Sequence, residues 1–165
     1  MSANINTRLV SFDKQIECHQ AALPALELSK KYDYLGGESS LTNELLQAMN
    51  KLKPVQCIVE NEVFYYFANW HFIDTFQSRN IQKVYVSIHN TLTDGDIENL
   101  SYAHLLFDLL SIPKQHQLGI CSSLVAELHP SFVKELVGEN YSYSASRVVE
   151  KITKANRNTE SPPVI

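Results

Sequence analysis

Cysteine is scarce in this chain and poorly placed for structural use. Cys18, Cys57 and Cys121 are odd in number and far apart, with no CxxC pair and no Cys/His cluster. That excludes a disulfide scaffold and a structural zinc site, and leaves reduced, mostly buried thiols. Glycine is also rare, with five in 165 residues. The one Gly-Gly pair, Gly36-Gly37, sits in neither a GxxxxGK[ST] nor a GxGxxG frame, so it reads as a turn and not a phosphate loop. No apolar run approaches the roughly 20 residues that span a bilayer, and Met1 to Thr7 is polar without a signal-like apolar stretch. The expectation is a soluble, cytoplasmic protein with no membrane partner.

Positive charge is in short supply as well: 14 basic residues face 18 acidic ones, a net charge of −4. This argues against indiscriminate nucleic-acid binding but leaves room for a local basic patch. Residues 61–113 carry two basic side chains against six acidic ones, whereas residues 141–158 carry four against one. The basic concentration therefore lies toward the C-terminus.

Apolar material is ample. At 44% hydrophobic and 10% aromatic, the chain can bury a core of one domain with a small helical appendage. Leu9, Val10 and Phe12 suggest a short strand. Ile16 to Leu28 has helical composition interrupted by Pro24. Ser39 and Ser40 offer N-cap oxygens to a helix over about Leu41 to Leu52, whose Leu41, Leu45, Ala48, Met49 and Leu52 predict a buried face. Pro54 stops it.

A strand over Val55 to Glu60 follows, then a tight turn at Glu60-Asn61-Glu62 without the glycine that primed turns favour. The next strand, Val63 to Phe67, is apolar or aromatic on both faces, which predicts a central position. Asn69 is placed to cap a short helix to Gln77, on which Trp70, Ile73 and Phe76 form a stripe. A third strand, Lys83 to His89, leads to Thr93-Asp94-Gly95-Asp96, which has capping-box spacing. Ile97, Leu100, His104, Phe107 and Ser111 then mark one stripe of a long helix. The class predicted is α+β, a small mixed sheet with flanking helices followed by a short helical region.

Helix, Pro-Val strand, hairpin, aromatic strand, short helix, strand and acidic-turn helix, in that order over Leu45 to Leu100, resemble the N-terminal domain of ParB-type partition proteins, the ParB/sulfiredoxin-like fold. The resemblance covers about a third of the chain and implies domains at 1–112 and 113–156, with a flexible tail over 157–165. It also implies a G-x-x-R phosphate motif directly after the aromatic strand. That place holds Ala68-Asn69-Trp70-His71, with Ala68 where glycine belongs and His71 where arginine belongs. A Cβ obstructs close backbone approach to a phosphate, and a mostly neutral imidazole replaces a permanent bidentate cation. The cysteine that the sulfiredoxin branch places at this turn is missing too. The resemblance with these departures implies a degenerate domain without catalytic residues, metal or cofactor, whose remnant ligand pocket would be Asn69, His71 and Arg79.

Other reactive side chains have plainer explanations. His104 is read as a core or interface histidine and not a metal ligand, and the aromatic strand residues as core rather than a base-stacking surface. Asp94, Asp96 and Glu98 lack the glycine position and distal glutamate of a calcium loop, so capping explains them better.

Beyond Pro113, helices over Leu118–Leu128, Ser131–Val137 and about Ala145–Ala155 are predicted. Arg147, Lys151 and Lys154 share one face of the last. Three short helices with a basic last member resemble a helix-turn-helix, which ParB-type proteins carry after the nucleotide domain. Ser144, Ser146, Arg147, Lys151 and Lys154 are then the nucleic-acid candidates, against the plainer reading of a solvated charged face. Three functions stay open. The first is a non-catalytic accessory or regulatory protein on double-stranded DNA, on a plasmid or other mobile element. The second is an interaction module forming a homodimer or holding another protein, and the third is a residual nucleotide-dependent enzyme.

Overall fold

A computed structural model describes residues 6–31 and 41–110, together with Val125, Ala126, Leu128, Pro130, Val133, Lys134, Arg147 and Val148. The chain divides into two units, Met1–Leu105 and Leu106–Ile165. The first is an α+β unit on a five-stranded mixed sheet in the order β1-β5-β3-β4-β2. Its strands are β1 (Asn6–Ser11), β2 (Ile16–Cys18), β3 (Val55–Glu60), β4 (Val63–Ala68) and β5 (Lys83–Ile88). β1 runs antiparallel to β5 and β4 antiparallel to β3, whereas β5/β3 and β2/β4 are parallel.

Alternation along the strands splits the core into two layers. Val55, Cys57, Val84, Val86 and Ile88 face one way and pack with Leu46 of α2 (Asn43–Leu52) and with Phe72, Ile73 and Phe76 of α3 (His71–Ser78). Ile58 and Phe67 face the other way, against Ala22 and Ile97 of α4 (Asp94–Leu110). The aromatic strand β4 is thus covered on both sides, as its two-sided composition predicts. Cys57 is buried, and desolvation pushes its thiol up to about 12.

Several local expectations need correction. Ile16 to Leu28 is not an interrupted helix. It opens as the edge strand β2, passes through a 3-10 turn (Gln20–Ala22), and becomes helical only at α1 (Leu23–Ser29). Pro24 stands in the first turn of α1, where its missing N–H costs nothing, so it starts the helix instead of breaking one. The N-cap of α2 is Thr42, whose hydroxyl accepts the Leu45 N–H at 3.3 Å, and not Ser39 or Ser40. Among the α4 stripe residues, Ile97 is buried but Leu100 is 42% exposed; Ser101, Tyr102 and Leu105 line the buried side instead.

The capping box at α4 forms as expected. The Thr93 N–H reaches Asp96 Oδ2 at 2.9 Å, and the Asp96 N–H reaches Thr93 Oγ1 at 3.2 Å. The β3–β4 hairpin turns on Asn61 (φ 49°) and Glu62 (φ 68°), both left-handed, so it has the primed geometry even without glycine. The right-handed twist of the strands selects that geometry, and Glu62 bears the steric cost of a Cβ there. Glu62→Gly is therefore expected to stabilise the protein by about 0.5–1 kcal/mol. A urea midpoint that stays put or falls would contradict this.

The second unit is described at few positions. Val125, Ala126, Pro130, Val133, Lys134, Arg147 and Val148 are helical. Val125, Leu128, Val133 and Val148 are buried, while Arg147 is exposed. The expectations for Ser144, Ser146, Lys151, Lys154 and the tail over 157–165 lie outside the described residues. Among the described residues, no helix is long and apolar enough to cross a membrane.

Candidate functional site

The corner where β4 meets α3 is where a phosphate site would stand in the resembled fold. Ala68 ends β4 in extended backbone and is buried. The left-handed turn falls one residue later, at Asn69 (φ 58°), a conformation asparagine tolerates better than most residues. Asn69 is therefore not the N-cap. That position is Trp70, which makes no side-chain capping bond and is buried.

Asn69 is tied on two sides. Its backbone N–H donates to His104 Nε2 at 3.0 Å, and its side-chain Nδ2 donates to the Pro54 carbonyl at 2.8 Å. Pro54 O also accepts from Gln56 Nε2 at 2.7 Å, and Gln56 Oε1 lies 2.7 Å from His89 Nε2. An amide oxygen only accepts, so His89 carries its proton on Nε2. A polar chain thus runs His104, Asn69, Pro54, Gln56, His89. Trp70 meets the His104 ring edge-on at 4.9 Å, and Phe67 meets His89 at 5.5 Å. Ser101 Oγ lies 2.8 Å from the Phe67 carbonyl and 2.7 Å from that of Ile97, fastening α4 to the end of β4.

These environments set the charge states. Burial, aided by the Lys53 cation, lowers His104 to about 4. Burial also lowers His89 and raises the Asp74 carboxyl. Both imidazoles are therefore neutral near pH 7, and the corner offers an anion no cationic histidine from these two.

The remnant pocket predicted from Asn69, His71 and Arg79 comes together only in part. His71 stacks near His104, with ring centroids 6.4 Å apart. Arg79 sits at the opposite end of α3, beyond its last turn, where Nη1 donates to the Leu41 carbonyl and lies 3.4 Å from Asn43 Oδ1. It braces the start of α2. His104, Gln56, Pro54 and His89 are the partners that sequence reasoning missed. The β3–β5 pairing, with Gln56 opposite Ser87, brings Gln56 and His89 together across 33 residues, and no local signal marks that.

The geometry of this corner bears on a metal as well. Asp108 follows His104 by four residues on α4, a ligand spacing that the sequence reading passed over. His104 nevertheless has one lone pair in its neutral form, and the Asn69 N–H occupies it. Ligation through Nδ1 would move the proton to Nε2 and set two donors against each other. The arrangement fits a structural histidine better than a metal ligand.

No family model matches the chain, and no curated protein does. Among solved structures, the chain is similar to a Pnob8-like ParB-N domain, with 12% sequence identity and a TM-score of 0.45. The superposition covers 93% of this chain and 64% of that one, so the chain spans under two thirds of its neighbour's length.

Proposed function

We propose that this chain is a non-catalytic, DNA-associated accessory or regulatory protein built on a diverged ParB-like domain. The observation that carries the reading is the occupied corner at Asn69. A phosphate at that turn would need free backbone donors, yet the Asn69 N–H is spent on a neutral, half-buried histidine and its amide on Pro54. The strand–hairpin–strand–helix–strand–helix order that underlies the resemblance is present from β3 to α4. A domain that keeps this order while filling the phosphate corner with its own side chains is better suited to holding position than to turning over nucleotide.

DNA contact then falls to Arg147, Lys151 and Lys154, with Ser144 and Ser146 assisting. Arg147 is helical and exposed beside the fully buried Val148, as a solvent-facing residue of a packed helix should be. The same reading puts the protein in the cytoplasm, on DNA of a plasmid or another mobile element.

Fluorescence anisotropy with duplex DNA across a salt series tests the proposal. Three neutralised phosphates give a slope near −0.9 per contact, so affinity should fall roughly 40-fold between about 50 and 200 mM salt. Lys151→Glu should weaken binding and reduce that slope by about one. Duplex affinity equal to wild type in Lys151→Glu, or no binding at the lowest salt, would sink the DNA reading.

A further inference from the structure

The second layer of the core stops short of two strands. It gathers buried side chains of β3, β4, the 3-10 turn and α4, but among the described residues none from β1 or β5. The face of β1 and β5 turned away from Val10, Val84 and Val86 is therefore left partly open. Its register sets Ser11 opposite Lys83, Leu9 opposite Tyr85 and Thr7 opposite Ser87. Leu9 is 48% exposed, Thr7 and Lys83 are exposed, and Tyr85 is half-buried. The Thr7 and Ser87 hydroxyls bond to each other at 2.9 Å and close one end of this face. Charge also separates this edge from the other layer. β1 and β5 carry Arg8 and Lys83 and no carboxylate, whereas α4 carries Asp94, Asp96, Glu98 and Asp108 and no lysine or arginine. Neither Arg8 nor Lys83 forms a salt bridge among the described residues.

We propose that this face binds single-stranded nucleic acid, with one base stacked on Tyr85 beside Leu9 and the backbone held by Lys83 and Arg8. Side chains two apart on a strand are separated by about 7 Å. Lys83 therefore stands next to the tyrosine, where the phosphate flanking a stacked base would lie. Arg8 is on the opposite face of β1, but β1 is an edge strand, so its long side chain reaches the same backbone around the edge. The cations select an anionic chain over an apolar one, and the ring selects a base over a bare carboxylate or phosphate. A duplex keeps its base faces stacked on one another, so the ring favours an unpaired strand. The inference goes beyond the duplex reading, which rests on the basic set at 144–154.

Fluorescence anisotropy of the full chain with a short labelled oligodeoxyuridylate tests this. Wild type should bind, and two phosphate contacts should cost about 7-fold in affinity between about 50 and 200 mM salt. Tyr85→Ala should weaken binding by at least roughly 5-fold, while Tyr85→Phe keeps wild-type affinity, because stacking needs the ring and not the hydroxyl. Lys83→Glu, at an exposed position, should lower the affinity and flatten its salt dependence, and a thermal melt of each variant verifies the fold. Duplex affinity should not move in Tyr85→Ala or Lys83→Glu. Loss of the duplex reading with oligonucleotide binding intact would leave this inference standing, and the reverse would overturn it alone. No oligonucleotide binding at the lowest salt overturns the proposal. So does wild-type affinity in Tyr85→Ala or Lys83→Glu, or polyglutamate that displaces the label as well as unlabelled oligonucleotide does. Oligouridylate in the same assay identifies the sugar: tighter binding assigns RNA, weaker binding assigns DNA, and either supports the face.

Discussion

Replacing Asn50 with alanine is expected to destabilise the protein by about 2–4 kcal/mol, more than removing any exposed charge would. Asn50 is completely buried, and its amide replaces a missing strand. Tyr85 on β5 lies one position before the β3 pairing begins at Val55–Val86, so no strand serves its backbone on that side. Asn50 Oδ1 accepts the Tyr85 N–H at 2.6 Å, and Nδ2 donates to the Tyr85 carbonyl at 3.2 Å. Alanine leaves both backbone groups without partners, at about 1–3 kcal/mol each. Asn50→Asp keeps an acceptor for the N–H but loses the donor and buries a charge, so it should fare no better. Urea unfolding with an unchanged slope and a lowered midpoint is the readout. A loss below about 0.5 kcal/mol would mean the amide pairing is dispensable.

Acidification is expected to destabilise the fold through His104 in a window set by two pKa values. The ordinary histidine value is 6.5, and the folded value is about 4. The folded state therefore binds this proton less readily than the unfolded chain. The stabilisation is fully present above pH 6.5, is lost progressively as pH falls toward 4, and does not recover below it. The difference corresponds to about 3 kcal/mol. Burial is the main cause, with the Lys53 cation beside it, and protonating Nε2 would also remove the acceptor of the Asn69 N–H.

His89 is lowered by burial as well, so wild type alone would report both groups. Subtracting a His104→Gln curve isolates His104, because glutamine can still offer an acceptor but does not titrate. The wild-type slope between pH 6.5 and 4 should exceed that of His104→Gln. Parallel curves would show that His104 binds its proton equally well in the folded and the unfolded chain, which would overturn the prediction.

Much of the first unit was legible in the residues themselves. β3, β4 and β5 announce themselves by apolar alternation and by the turns between them, and the Thr93–Asp96 capping box forms where its spacing places it. The mixed α+β class follows from that order. The candidate site was legible only in part. Asn69 and His71 neighbour each other in sequence, so their shared location needed no tertiary information. Arg79 was misplaced because an eight-residue helix separates it from His71, and only the packing of α2 shows what it braces.

Helix α2 is the sharpest lesson. Its periodicity marks a face through Leu45 and Leu52, yet the sheet receives Leu46 and Asn50. Periodicity reports that a helix has an apolar side; it does not say what that side meets, and a backbone carbonyl on β5 in need of a donor is invisible in the local pattern. By itself the sequence determined β3, β4 and β5, their order and the Thr93–Asp96 cap, because those depend on near neighbours along the chain. The tertiary structure decided the strand register, the face that α2 buries and the partner of the Asn69 N–H. Each of these depends on groups about 35 residues apart that meet only when β3 pairs with β5 and α4 closes over the end of β4.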